Sequence, residues 1–94
     1  MDKEKLKEAY LYVFDCFAAD TKEIAEYLDM STKDTYNLLN SCGLLTGELF
    51  VDGMAGYGIN RKNHPGVPYT WQCNETYDSI SREEAIELFN QEYQ

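Results

Sequence analysis

Apolar residues recur at helical spacing in four stretches of the chain, which predicts four helices. The first is predicted over residues 2–19, where the stripe consists of Leu6, Tyr10, Val13, Phe14 and Phe17. The last is predicted over residues 81–93, because Ser81 and Glu84 form a capping-box pattern ahead of an apolar face. That face consists of Ala85, Ile86, Leu88 and Phe89. We expect this last helix to pack on the first or to form a dimer seam.

Residues 21–45 contain the two remaining helices, which are short and close together. Asp20 and Thr21 offer an N-cap to the first of them, and Ser31 offers one to the second. Asp29 and Met30 interrupt the apolar pattern between the two, and Gly43 is a typical helix stop. The inward faces are Ile24, Ala25 and Leu28 on one helix and Thr35, Leu38, Leu39 and Cys42 on the other. Two short amphipathic helices joined by about three residues form a helix-turn-helix unit.

The pattern of residues 48–73, in which β-forming stretches stand on either side of a turn-rich segment, predicts a β-hairpin. A turn is expected at Thr46 and Gly47, with a strand beginning near Glu48. A second extended piece is expected from residues 57 to 60, followed by a turn-rich tip over residues 60–68. Residues 69–73 alternate apolar and polar side chains and predict the return strand.

The chain resembles the winged helix-turn-helix family of prokaryotic and phage regulators. The resemblance rests on Ile24-Ala25, Leu28, Met30-Ser31, Leu39 and the Gly43-Leu44-Leu45 ending. It implies one α+β domain over residues 1–94, with three N-terminal helices, a β-hairpin wing and a C-terminal helix. It also implies a small intracellular, phage-encoded or bacterial regulator of transcription that binds double-stranded DNA.

In that family the second helix of the motif is the recognition helix, and its outward residues meet the DNA. Lys33 suits phosphate or guanine, Asn37 and Asn40 suit adenine, and Thr32 and Tyr36 suit phosphate. Arg61 and Lys62, at the wing tip, would clamp the DNA backbone. Because so few cations are available, specific binding would need a homodimer that reads two half-sites.

The net charge of −9 favours a different partner. DNA binding depends on Lys and Arg, yet the chain has 8 basic residues against 17 acidic ones. Residues 53–74 carry no acidic side chain and include Arg61 and Lys62, so a nucleic-acid backbone could lie there without local repulsion. Given the net charge, the alternative function is an acidic protein-binding module, an inhibitor or nucleic-acid mimic that binds a basic protein surface. Its candidate residues are Glu23, Glu26, Tyr27, Asp29, Asp34 and Tyr36.

The sequence does not favour an enzyme. His64 is the single histidine, and it lies in a Pro/Gly-rich turn without a nucleophile beside it in the sequence. The cysteines at positions 16, 42 and 73 lack metal-ligand spacing, so we expect no metal and no cofactor. Cys16 and Cys42 fall on apolar helical faces and are predicted to be buried thiols. With no signal-peptide pattern and no apolar run of about 18 residues, the expected location is the cytoplasm, away from membranes.

Overall fold

A computed structural model describes residues 2–49 and 69–94 and shows an α+β fold in which helices pack around a small sheet. The elements follow one another in this order: α1 (Lys3–Cys16), β1 (Ala18–Asp20), α2 (Thr21–Leu28), α3 (Thr32–Asn40), β2 (Leu45–Leu49), β3 (Tyr69–Cys73) and α4 (Arg82–Glu92). The α+β class expected from the sequence is confirmed, and each of the four predicted helices is present. Within the two described ranges, no helix is long and apolar enough to cross a membrane.

The three described strands form one antiparallel sheet in the order β1-β3-β2. Ala19 pairs with Trp71 across one ladder, and Leu45 pairs with Cys73 across the other. Trp71 and Cys73 are both buried, as expected for alternate positions on the core face of the return strand. The central strand β3 therefore pairs both with residues 18–20, which precede α2, and with strand β2, which follows α3.

Strand β1 lies partly where the apolar pattern predicts the end of the first helix, at residues 17–19, and that prediction is wrong. The helix ends at Cys16, and Phe17 adopts a positive φ of 69° that turns the chain out of the helix. Residues 18–20 are extended because β3 offers them a ladder, and that partner lies about fifty positions away in the sequence. The same early ending leaves Cys16 and Phe17 exposed, although both were expected on a buried face.

β2 is the second correction, because it begins at Leu45 and includes the two residues that were expected to form a turn. Thr46 pairs with Gln72 and Gly47 pairs with Trp71, so both lie inside the ladder. Pairing along the full length of β3 outweighs the local turn preference of a Thr-Gly pair. The extended piece at residues 57–60 and the tip at residues 60–68, including His64, lie outside the described residues.

Side-chain caps set the helix starts, as the sequence predicts. Asp20 Oδ1 accepts a hydrogen bond from the Glu23 backbone N–H at 2.7 Å, and Ser31 Oγ accepts one from Asp34 at 3.0 Å. At α4, Ser81 and Glu84 bond to each other's backbone N–H groups, which completes the capping box.

The core lies around α1, which packs against α2, α3, α4 and the sheet. Tyr10 is 1% exposed, and its ring lies 5.6 Å from that of Phe89 on α4, centroid to centroid. The ion pair between Arg82 and Asp15 adds a surface contact between the same two helices at 3.1 Å. The sequence leaves two arrangements open for α4, packing on the first helix or a dimer seam, and the structure shows that α4 packs on α1.

Candidate nucleic-acid interface

The turn between α2 and α3 sets the direction of the candidate recognition helix. Three residues, 29–31, separate the two helices, as the sequence predicts. Asp29 adopts a left-handed conformation (φ 56°, ψ 50°), which short polar side chains tolerate better than most. The Met30 backbone N–H then bonds to the Ala25 carbonyl at 3.0 Å and closes the end of α2. Ser31 caps the start of α3 immediately afterwards, so α3 begins within four residues of the end of α2.

One face of α3 holds the helix against the rest of the protein. Thr35 and Leu39 are fully buried, and Leu38 is 9% exposed. Cys42, just beyond the helix, is also buried. These are the inward positions that the apolar pattern predicts. Since α3 is anchored along this face, its opposite face is held in a fixed orientation toward solvent.

The opposite face carries most of the predicted DNA-binding residues. Lys33, Asn37 and Asn40 follow one another at i, i+4 and i+7 and are all exposed, so they form a stripe along α3. Thr32 is exposed at the start of the helix. Tyr36 is half-buried, and its ring lies 5.9 Å from that of Trp71, centroid to centroid, so it leans toward the sheet. The structure therefore brings five of the seven residues together on or beside one surface.

The other two predicted DNA-binding residues, Arg61 and Lys62, lie outside the described residues. Among residues 2–49 and 69–94, two lysines on α2 and α3 have neither a hydrogen bond nor an ion pair: Lys22 at the start of α2 and Lys33 on α3. The positive charge available on the described part of this surface is therefore small.

The N-terminal lysines serve the fold, which the sequence pattern did not show. Lys5 Nζ donates a hydrogen bond to the Leu28 carbonyl, the last residue of α2, at 2.7 Å. Lys3 donates to the Tyr93 carbonyl and Lys7 to the Asn90 side chain, both at the end of α4. The Lys/Glu alternation of this segment reads as an ordinary solvated helix face, and no local signal identifies a carbonyl 23 positions away as the partner of Lys5.

The residues of the alternative, acidic surface divide between two helices. On α2, Glu23 accepts a hydrogen bond of 2.8 Å from the hydroxyl group of Tyr12, which lies on α1. The Tyr12 ring also lies 4.5 Å from the ring of Tyr27, centroid to centroid. The bond to Glu23 raises the pKa of Tyr12 well above its usual range. Tyr27 remains 57% exposed. Glu26, Asp29 and Asp34 are exposed as well, and Asp34 is next to Lys33 in the sequence of α3.

The buried titratable groups are part of the core. Cys42 and Cys73 are buried, and burial raises the pKa of the Cys73 thiol to about 12. Burial also raises the pKa of Tyr10, whose backbone carbonyl accepts a weak hydrogen bond from the Cys73 thiol. Cys16, expected to be buried, is exposed instead. In the described part of the chain, no three His, Cys, Asp or Glu side chains are grouped as a metal site would require.

Comparison with known proteins finds no family model, no curated protein and no solved structure that matches this chain. The assignment of a function therefore depends on the geometry and charge of the surface itself.

Proposed function

We propose that this chain is a winged helix-turn-helix domain that binds double-stranded DNA and regulates transcription, with α3 as its recognition helix. The observation that carries the proposal is the exposed polar stripe of Lys33, Asn37 and Asn40 on a helix whose other face is buried. The order of elements supports it. A helix-turn-helix is followed by two paired antiparallel strands, β2 and β3, in the position of a wing.

The chemistry of the stripe suits the major groove. An Asn side chain can bond both to N6 and to N7 of adenine, and a lysine can reach guanine or a phosphate. Thr32 and the Tyr36 hydroxyl are suited to phosphate oxygens, which would set the register of the helix on the duplex. In this proposal Arg61 and Lys62 contact the DNA backbone beside the groove.

The small number of cations makes a dimer part of the proposal. If Lys33, Arg61 and Lys62 each contact one phosphate, the logarithm of affinity falls with a slope of about −2.7 against the logarithm of salt concentration. So shallow a slope indicates weak binding by one copy at physiological salt. Two copies on two half-sites would double the slope to about −5 and would read a longer sequence.

A second candidate function, binding to a basic protein surface, is favoured by how the protein uses its charges. Four of the described basic residues hold internal contacts: Lys3, Lys5, Lys7 and Arg82. The carboxylates of Glu26, Asp29 and Asp34 meanwhile stay exposed. The surface that remains is more acidic than the sequence count suggests, and it would attract a basic partner.

Fluorescence anisotropy with a labelled duplex of about 20 base pairs, two helical turns, tests the first candidate. We expect binding at about 20 mM salt that weakens steadily toward about 200 mM. Lys33→Ala should lower the affinity and reduce the salt slope by about 0.9, because one phosphate contact is lost. Asn37→Ala should change which duplex sequences are preferred.

Lys7→Ala is the matched control, because it removes the same charge from α1, where Lys7 contacts Asn90 rather than α3. It should leave the slope unchanged. If the protein does not bind DNA at the lowest salt, or if Lys7→Ala and Lys33→Ala weaken binding equally, α3 is not a recognition helix. Binding to a basic protein would then be the function to pursue.

A further inference from the structure

The helix α4 has a second face that does not pack on α1. Ala85 and Phe89 are buried in the core, whereas Glu84, Glu87, Leu88 and Gln91 lie at i, i+3, i+4 and i+7 on another side of the helix. These four residues line a cleft of about 350 Å³, and Glu75 and Ile80, from the segment before α4, complete it. We call this the α4 cleft. Its volume lies within the range of about 300–1,000 Å³ that is usual for ligand pockets.

The α4 cleft combines an apolar floor with an acidic rim. Ile80 and Leu88 are half-buried, so both retain surface that another side chain could cover. Glu75, Glu84 and Glu87 are all exposed. Glu84 and Glu87 lie one turn apart on the same helix, where like charges destabilise each other. A partner that neutralises them would therefore relieve a repulsion present in the protein alone.

Among the described residues, no basic side chain lines the α4 cleft. Arg82 is the single basic residue in positions 75–94, and its guanidinium forms an ion pair with Asp15, with Nε 3.1 Å from Oδ1. Glu84 accepts one hydrogen bond, from the Ser81 backbone N–H, which leaves its charge without a cationic partner among the described residues. The negative charge of the rim is therefore uncompensated in this part of the protein.

The same segment exposes an aromatic pair. Tyr77 lies two positions after Glu75 and is 53% exposed, and Phe17 at the end of α1 is 37% exposed. Their rings meet edge to face, with centroids 5.5 Å apart. Phe17 is held there by a backbone with positive φ, a conformation that costs energy for a bulky residue. Segment 74–81 thus presents apolar surface beside its carboxylates.

We propose that the α4 cleft binds a basic amphipathic segment of a protein partner. Lysine or arginine side chains of the segment would lie against Glu75 and Glu87, and an apolar side chain would lie between Ile80 and Leu88. Charge complementarity decides the occupant. Phosphates of a nucleic acid would be repelled by the rim, and a second copy of this chain, meeting cleft to cleft, would bring carboxylates together. The proposal does not depend on DNA binding by α3.

The probe for the test is a fluorescein-labelled peptide of leucine and lysine, with leucines at i, i+3, i+4 and i+7. This spacing places the leucines on one side of a helix, as in known helix-in-groove complexes. A peptide of lysine and serine with the same charge controls for attraction that is purely electrostatic. We expect the leucine peptide to bind more tightly, because the floor of the α4 cleft is apolar.

The decisive variant is Glu75→Gln with Glu87→Gln. Both residues are exposed and neither caps a helix, so the fold should be retained, as circular dichroism would show. Loss of two exposed charge pairs should weaken peptide binding about two- to thirtyfold. The matched control is Glu4→Gln with Glu8→Gln, which removes the same charge from two exposed positions on α1 that do not line the α4 cleft. It should change the affinity less than about twofold.

Three results would overturn the proposal. The first is equal weakening by the two double variants, and the second is equal binding of the two peptides; either would mean general attraction to an acidic protein. The third is self-association of the unmodified protein, measured by sedimentation, that the cleft variant abolishes. That result would assign the α4 cleft to a second copy of the chain. None of these outcomes bears on DNA binding by α3, which is measured separately.

Discussion

Lys5→Met should destabilise the protein because Lys5, on α1, caps the C-terminal end of α2. Its Nζ donates to the Leu28 carbonyl at 2.7 Å, in a half-buried position at the C-terminal end of an eight-residue helix. Hydrogen bonds with a charged partner contribute about 1.5–3 kcal/mol, and part of that is the favourable placement of a cation at a helix C-terminus. Methionine keeps most of the apolar stem of lysine, so the loss reports on the ammonium group.

The expected loss is about 2 kcal/mol in the free energy of unfolding, measured by urea denaturation. For a domain of this size it corresponds to a fall in Tm of about 8–16 °C. Lys7→Met is the matched control, since it makes the same change on the same helix at a longer, 3.4 Å contact to a neutral amide that is open to solvent. It should cost less than about 0.5 kcal/mol. Equal losses in the two variants would refute the capping role of Lys5.

Three further predictions follow from local features. Asp29→Val should destabilise the protein by about 1–2 kcal/mol in urea denaturation, because a β-branched residue fits the left-handed conformation poorly, whereas Asp29→Gly should have little effect. The free energy of unfolding should fall as pH rises from 9 to 12. Burial raises the pKa of Cys73 and Tyr10 to about 12 in the folded protein, whereas their ordinary pKa values of 9 and 10 apply in the unfolded chain, which therefore releases its protons at lower pH. A stability that does not change over this pH range would contradict the prediction. A thiol reagent at neutral pH should modify Cys16 in the folded protein and reach Cys42 and Cys73 only after denaturation, as mass spectrometry would show.

The helices could be predicted because their signals are local. Ser31 and Ser81 cap the helices that they were expected to cap, and the inward faces of α2 and α3 follow the apolar spacing. The exposed stripe on α3 follows from the same periodicity, since the positions opposite a buried face must point to solvent. This part of the candidate site needed no knowledge of tertiary contacts.

The features that escaped prediction depend on partners far away in the chain. β1 exists because β3 pairs with it, and Lys5 is a cap because α1 lies beside the end of α2. The α4 cleft likewise forms only where segment 74–81 meets a second face of α4. Glu75 and Glu87 looked like ordinary solvated carboxylates in the sequence, because a one-dimensional pattern does not show that they share a concave surface.

Amide chemical-shift mapping on the ¹⁵N-labelled protein tests the central proposal most directly. A duplex of about 20 base pairs would be added at low salt, where weak binding is still measurable. If α3 is the recognition helix, the largest shift changes should fall on the amides of residues 31–40, with those of α4 nearly unchanged. Shift changes concentrated on α4 and residues 74–81, or no changes at all, would contradict DNA recognition by α3.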